Sequence, residues 1–149
     1  MVKTGAMLLA MLWVFLCFEL SLWVISSFKN IYSIEMLKYA MTLKVDSSNP
    51  LVTHEHRVDV KAELMGVEVV LNSLGHRSRD LKNPKQENEK RIYVLGSSMT
   101  LGWGVSYGDT FISVLENMLN LEIKKQTGFY YLAINAGIGN YNTFYQVEL

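Results

Sequence analysis

The hydrophobic positions of this chain are spread unevenly, and the longest apolar run stands at the amino terminus. From Gly5 to Phe28 the sequence reads GAMLLAMLWVFLCFELSLWVISSF, with a single charge at Glu19. As a helix of about 24 residues this run would rise about 36 Å, which exceeds the roughly 30 Å hydrocarbon core of a bilayer. A cleavable signal peptide has a shorter apolar stretch and a small-residue cleavage site, and neither fits well here. The pattern predicts a permanent single-pass anchor over residues 1–30.

Behind the anchor the pattern is mixed. Apolar residues recur at helical spacing between Ser33 and Val45, and Ser33 is placed to cap the helix that they predict. The apolar positions of this helix are Ile34, Leu37, Ala40 and Met41. The residues that follow are polar and irregular, so 31–65 is predicted to be a juxtamembrane linker. Gly66–Ser73 is rich in β-branched residues and predicts a strand.

The pattern changes again near residue 91. Two short apolar runs, Arg91–Leu95 and Phe129–Asn135, predict strands that are buried on both faces. A helical pattern separates them, and this alternation indicates the opening of a parallel α/β sheet within residues 66–149. Two such strands and one helix cannot shield a doubly buried sheet, so we expect a larger fold of which this domain is the front part.

Two helix starts are predicted in this region. Asp109 or Thr110 is placed to cap the helix between the strands, and Asn142 or Thr143 to cap another after the second strand. The inward stripe predicted for the first of these helices consists of Phe111, Val114, Leu115 and Met118.

Charge and composition narrow the possible partners. The 14 basic and 14 acidic side chains cancel, and no basic stripe recommends a nucleic acid. Cys17 is the only cysteine, which excludes a disulfide within the chain. Glu19 inside the apolar run costs on the order of 2–3 kcal/mol in a membrane. It either faces a transmembrane partner helix or polar cavity, or is a protonated or snorkelling carboxyl that lipid tolerates; both interpretations stay open.

Candidate chemistry concentrates in RIYVLGSSMTLGWGV, Arg91 to Val105. A serine on a sharp turn between a strand and a helix presents its hydroxyl to solvent beside its own backbone N–H, which is half of an acyl-transfer site. A nucleoside-triphosphate loop is excluded, because no lysine follows the glycines. GIGNYN, residues 137–142, approximates a dinucleotide fingerprint, but its third glycine is replaced by Asn142. The sequence therefore predicts no cofactor.

Three motifs together resemble the SGNH, or GDSL-like, superfamily of esterases and acyltransferases. VLGSSMTLGWGV is similar to the first family block, commonly Gly-Asp-Ser-x-Thr-x-Gly, and INAGIGNYNT, residues 134–143, to the second. LNSLGHRSRD, residues 71–80, resembles an Asn-Ser-x-Gly-x-Arg segment of a membrane-anchored bacterial subgroup. The resemblance implies a flavodoxin-like, three-layer parallel sheet, of which residues 66–149 are expected to be the first part.

By this resemblance Ser98 is the nucleophile, and the N–H groups of Ser98 and Gly137 are oxyanion-hole donors. Gly96, Ser97 and Gly102 support the turn, with Ser97 in place of the usual aspartate. The implied function is a serine acyl-ester hydrolase or O-acyltransferase acting on an acylated small molecule or polysaccharide, with an extracytoplasmic, periplasmic domain in a bacterium. The family's later Gly-x-Asn-Asp and Asp-x-x-His blocks do not occur here, so the chain alone is expected to be nearly inert.

The remaining polar candidates favour simpler interpretations. His54 and His56 alternate as on one strand face, but two ligands without a third favour a solvated polar loop over a metal site. His76 is expected at the surface. For Arg77 and Arg79, pairing with Asp80 is favoured over binding of an anionic substrate.

A non-enzymatic function is the main alternative. In it the anchor, with Glu19, binds partner helices of a larger membrane assembly, and the α/β part serves as a docking or structural module.

Overall fold

The computed structural model describes residues 2–28 and 31–148, so Met1, Lys29, Asn30 and Leu149 at the ends of the predicted segments lie outside the described residues. The chain is mixed helix and sheet and divides into two units, Met1–Glu35 and Met36–Leu149. Helix α1, Val2–Phe28, makes up much of the first unit. Its segment Thr4–Ser27 is long and apolar enough to cross a membrane. The helix that a single-pass anchor requires is therefore present.

Helix α2, Tyr32–Leu43, confirms the helix predicted after the anchor, but not the side that it buries. Tyr39 and Leu43 are fully buried, whereas Leu37 and Met41, two of the predicted apolar positions, are 61% and 67% exposed. Tyr39 faces inward because its ring packs edge-on against Trp103, with centroids 5.4 Å apart. The larger, part-polar side chain thus decides the orientation of the helix.

Two short antiparallel pairs follow α2. Strand β1, Lys44–Asp46, pairs with β2, His54–His56, and β3, Val60–Leu64, pairs with β4, Val67–Leu71. The predicted strand at 66–73 corresponds to β4, while β2 and β3 fall in the predicted linker. Both pairs belong to the unit that begins at Met36, so most of that linker is folded. The buried side chains of the shared core cluster are Tyr39, Leu43, Leu64, Val69, Leu71 and Leu101.

The rest of the chain forms the predicted parallel pair. Its elements are β5 (Glu89–Gly96), α3 (Ser98–Leu101), a 3₁₀ turn (Tyr107–Asp109), α4 (Phe111–Met118), a π-helical turn (Leu119–Ile123), α5 (Lys124–Thr127), β6 (Tyr130–Gly137) and α6 (Thr143–Val147). Strands β5 and β6 are parallel and in register up to the pair Gly96 and Gly137. Of the alternative caps, Thr110 accepts from Ser113 N–H and Asn142 from Tyr145 N–H.

The two edges of this pair differ. On the outer edge of β6, Asn120 bonds both backbone groups of Tyr131, and Glu116 Oε2 accepts the Ala133 N–H at 2.8 Å. On β5, Tyr130 N–H donates to Asn88 O and Ile138 N–H to Gly96 O, so the even-numbered residues face β6. The backbone groups of the odd-numbered residues point outward, and within residues 2–28 and 31–148 they meet no further strand. These residues are Glu89, whose N–H donates to Gln86 O, and Arg91, Tyr93 and Leu95.

The prediction that β5 is buried on both faces is wrong. Tyr93 and Leu95 are 51% and 46% exposed, although the ring of His76 lies edge-on to Tyr93. Strand β6 is buried from Leu132 to Gly137, as predicted.

The apolar stripe predicted for α4 is not the buried side of the helix, and of its four residues only Leu115 is half-buried. Phe111, Val114 and Met118 are 54%, 44% and 52% exposed, while Ile112 and Glu116 are buried. Glu116 turns inward because one of its oxygens accepts the Ala133 N–H and the other pairs with Arg79. A carboxylate that closes a strand edge therefore sets the rotation of the helix.

Candidate functional site

Ser98 is the first residue of α3, directly beyond the carboxyl end of β5. Its side chain is half-buried, and its Oγ forms no hydrogen bond with the described residues. The first backbone bond of the helix runs from Leu101 N–H to Ser97 O. The N–H groups of Ser98, Met99 and Thr100 precede that bond and have no acceptor inside the helix. The turn thus exposes a hydroxyl beside free backbone donors.

Gly96 and Gly137 let α3 approach the strands closely. A Cβ on Gly96 would lie 1.9 Å from Thr100 Oγ1, and one on Gly137 would lie 2.4 Å from Leu101 N. Any side chain at either position would push the helix that carries Ser98 away from the sheet. Both glycines therefore have a packing role at the predicted site.

Ser97 and Gly102, the residues on either side of α3, are also predicted to support the turn. Ser97 precedes α3 in an extended conformation, but its side chain does not cap the helix. Gly102 ends the helix at φ +81°, a left-handed conformation that favours glycine.

The amides after β6 are not equally available. Gly137 N–H, the predicted oxyanion donor, donates to Asn135 Oδ1 at 3.1 Å, and Ile138 N–H donates to Gly96 O at 3.0 Å. Gly139 N–H donates to Tyr39 Oη at 2.8 Å. Asn140 has φ +71°, and its N–H has no acceptor in the described part of the chain. Among the four amides of residues 137–140, the one without an acceptor is therefore that of Asn140 rather than that of Gly137.

The side chain of Arg77 is hydrogen-bonded to the carboxyl end of α3, the helix that begins at Ser98. It is 1% exposed, and its guanidinium donates to the carbonyls of Leu101, Gly102 and Val105 at 2.9, 2.7 and 2.8 Å. Burial lowers the pKa of Arg77 from its ordinary value. The expected pairing with Asp80 is wrong, because the buried backbone oxygens take its donors.

Arg79 and Asp80 also have other partners. Arg79 pairs with Glu116 and donates to Tyr130 Oη at 2.8 Å. Asp80 accepts from the backbone and hydroxyl of Ser73 at 3.1 and 2.9 Å. Neither side chain belongs to the turn at Ser98.

The histidines are structural rather than solvated. His56 is buried between Tyr39 Oη at 2.7 Å and Gly75 O at 2.9 Å, and burial lowers its pKa to about 4. His54 lies between Thr53 Oγ1 and Gly139 O, and burial also lowers its pKa. His76 is half-buried, with its ring edge-on to Tyr93 and its pKa lowered by burial. Within the described residues, none of them reaches Ser98 Oγ.

No metal centre forms among these groups: no three His, Cys, Asp or Glu side chains of the described residues are placed to share an ion. The polar loop predicted around His54 and His56 is instead strand β2 and part of a packed network. Sequence reasoning missed Tyr39 and Lys44, whose partners lie about a hundred positions away along the chain. The left-handed Asn140 was signalled only by its place after two glycines, in GIGN.

Comparison with models of protein families, with curated proteins and with solved structures finds no match to this chain.

Proposed function

We propose that this chain carries the nucleophile of an SGNH-type acyl-ester hydrolase or O-acyltransferase, and that Ser98 is the attacking residue. The observation that carries the proposal is the position of Ser98 at the start of a helix, where two parallel strands end in register. Ligands of parallel sheets bind at that end. The flavodoxin-like three-layer sheet and an extracytoplasmic location, periplasmic in a bacterium, belong to the same proposal.

Two backbone donors support attack on an ester carbonyl. Ser98 N–H lies on the nucleophile itself, and the turn after β6 offers Asn140 N–H, since Gly137 N–H is taken by Asn135. Amides fixed in place before the reaction stabilise a tetrahedral oxyanion, and loss of one such donor costs roughly 10²–10³ in rate. The proposed intermediate is an acyl ester on Ser98 Oγ, which water or a sugar hydroxyl then releases.

The proposed reaction needs a general base, and no histidine of the described residues is hydrogen-bonded to Ser98 Oγ. His54 and His56 have both ring nitrogens engaged, so neither can take the Ser98 proton without breaking an existing hydrogen bond. A serine without a positioned base is a weak nucleophile near neutral pH. We expect residues 1–149 alone to react far more slowly than a protein that supplies the base.

A fluorophosphonate probe, which phosphonylates activated serines, tests the proposal on the protein in its native membranes. The wild type should be labelled, and mass spectrometry should place the adduct on Ser98. Ser98→Ala should abolish labelling, while the neighbouring Ser97→Ala and the loop variant Ser106→Ala should retain it. An unlabelled wild type, or undiminished labelling of Ser98→Ala, would show that Ser98 is not the nucleophile.

A second candidate function is a non-catalytic docking subunit of a membrane assembly, favoured by the exposed apolar face of α4. Phe111, Val114 and Met118 stand on that face at helical spacing, where a solvated helix would carry polar side chains. A docking subunit should copurify with a stoichiometric partner in mild detergent. Val114→Asp should release that partner and the adjacent Asn117→Asp should retain it, whereas a chain that purifies alone contradicts docking.

A further inference from the structure

Gly139, between β6 and α6, is held through both of its backbone polar groups by side chains from the segment that precedes β3. Its N–H donates to Tyr39 Oη at 2.8 Å. Its carbonyl accepts from Lys44 Nζ at 2.9 Å and from His54 Nε2 at 3.0 Å. Three side chains from α2, β1 and β2 thus converge on the backbone of one buried residue.

The hydrogen-bond directions in this cluster form a consistent chain. Because Gly75 O can only accept, His56 Nδ1 carries a proton and donates to it. In the neutral ring Nε2 then accepts from the hydroxyl of Tyr39, which itself accepts from Gly139 N–H. Burial lowers the pKa of both His54 and His56, so both are neutral near pH 7, and the cation that touches the turn is Lys44. Its Nζ also donates to Asn140 Oδ1 at 3.1 Å and lies 4.6 Å from the centre of the Tyr39 ring.

The cluster leaves little freedom to the turn. A Cβ on Gly139 would lie 2.6 Å from Tyr39 Cε1, so the ring contacts the backbone directly. With both groups of Gly139 and the side chain of Asn140 bonded, Asn140 is held at φ +71° with its N–H unused by the described residues. A left-handed asparagine is conformationally unfavourable and persists only where its surroundings fix it.

Building on the proposed function, we infer that Tyr39, Lys44 and His54 are positioning residues that aim the Asn140 amide at the oxyanion formed on attack by Ser98. The segment between the membrane helix and the α/β part is then a component of the catalytic site. Its contribution is geometric, since none of the three side chains touches the reacting atoms in this inference.

Amide hydrogen exchange tests the positioning without reference to activity. In the membrane-bound protein, Tyr39→Phe removes the acceptor of Gly139 N–H while keeping the buried ring. Exchange in the 137–142 segment should rise about tenfold or more in this variant. The matched variant Tyr93→Phe removes an exposed hydroxyl and should leave that segment unchanged. Equal protection in the wild type and in Tyr39→Phe would overturn the inference.

The phosphonylation rate of Ser98 then tests the catalytic consequence. Tyr39→Phe and Lys44→Met should lower the maximal labelling rate about tenfold, a part of the effect of losing an oxyanion donor, without changing the half-saturating probe concentration. Lys44→Arg, which keeps the cation and its donors, should remain within about threefold of the wild type. A general loss of packing would not distinguish arginine from methionine in this way.

The outcomes separate the inference from the proposed function. If the wild type labels at Ser98 but all variants label equally fast, the positioning role is refuted and the nucleophile stands. If the wild type is not labelled at Ser98, the proposed function fails, and the positioning role fails with it.

Discussion

Replacing Arg77 by methionine tests whether a buried guanidinium holds the helix of Ser98 in place. Arg77 is 1% exposed, and no carboxylate among the described residues pairs with it. Instead it donates to the carbonyls of Leu101, Gly102 and Val105 at 2.7–2.9 Å. Arg77→Met keeps most of the volume and removes every donor.

The magnitude follows from the acceptors that remain. Leu101 and Gly102 are buried, so each carbonyl would lose its bond from the guanidinium without gaining water, at about 1–2 kcal/mol each. Leu101 O would keep a bond from Asn135 Nδ2 at 3.4 Å, and Gly102 O a bond from Val105 N–H at 3.1 Å. The Val105 carbonyl is part-buried and is partly rehydrated. The variant is also spared the cost of desolvating a guanidinium, which offsets a fraction of the loss. We expect the free energy of unfolding to fall by about 3 kcal/mol.

Urea unfolding in mild detergent, followed by tryptophan fluorescence, measures this change. With Trp13 and Trp23 replaced by phenylalanine, Trp103 is the sole reporter, and it follows the clamped helix directly. The control is Arg57→Met, which removes an exposed arginine with one bond to Lys44 O and should cost less than about 0.5 kcal/mol. If Arg77→Met stays within about 1 kcal/mol of its parent, the clamp contributes little and the reasoning is wrong.

Three further predictions concern the strand edge, the helix contact and the buried histidine. Glu116→Ala leaves the Ala133 N–H unpaired and should lower the free energy of unfolding by about 2–3 kcal/mol, whereas exposed Asn117→Ala should change it by less than about 0.5 kcal/mol in the same urea assay. Gly137→Ala places a methyl group 2.4 Å from Leu101 N and should cost more than about 2 kcal/mol by thermal unfolding, while Gly108→Ala, which meets nothing within 4 Å, should be tolerated. The pKa of His56 falls from 6.5 to about 4 on folding, so between these pH values the unfolded chain binds more protons than the folded one. The free energy of unfolding should therefore drop by about 3 kcal/mol as the pH falls from 7 to 4. His56→Asn should reduce this dependence on pH.

Local signals predicted much of the α/β part. The apolar runs of β5 and β6 follow from residue types within a few positions of each other, as do the two pairs of alternative caps, of which Thr110 and Asn142 are the ones used. The parallel pairing follows from the alternation of strand, helix and strand. Strand β3 could have been found too, because apolar and charged residues alternate in VKAEL before the Met65–Gly66 turn.

Side-chain orientations could not be predicted in the same way. Glu116 turns α4 over because it bonds a backbone amide seventeen residues later, and Tyr39 orients α2 because its hydroxyl meets Gly139, a hundred residues away. The spacing of apolar residues along α2 or α4 predicts that a different face of the helix is buried. That spacing takes no account of an N–H group far along the chain that needs an acceptor. The candidate nucleophile followed from a turn motif, whereas the free amide of Asn140 became visible only when its neighbours' partners were known.

Because the two edges of the β5–β6 pair differ, a further strand can pair with this sheet more readily on one side than on the other. Side chains of Asn120 and Glu116 occupy the backbone of β6, so a new strand on that side would have to displace them. The outward N–H and C=O groups of Arg91, Tyr93 and Leu95 could pair with a further strand without displacing any side chain. A further strand should therefore add beside β5, whether it completes the fold or comes from a second copy in a misassembled pair. Tyr93→Pro, which removes an outward N–H, would block either kind of addition.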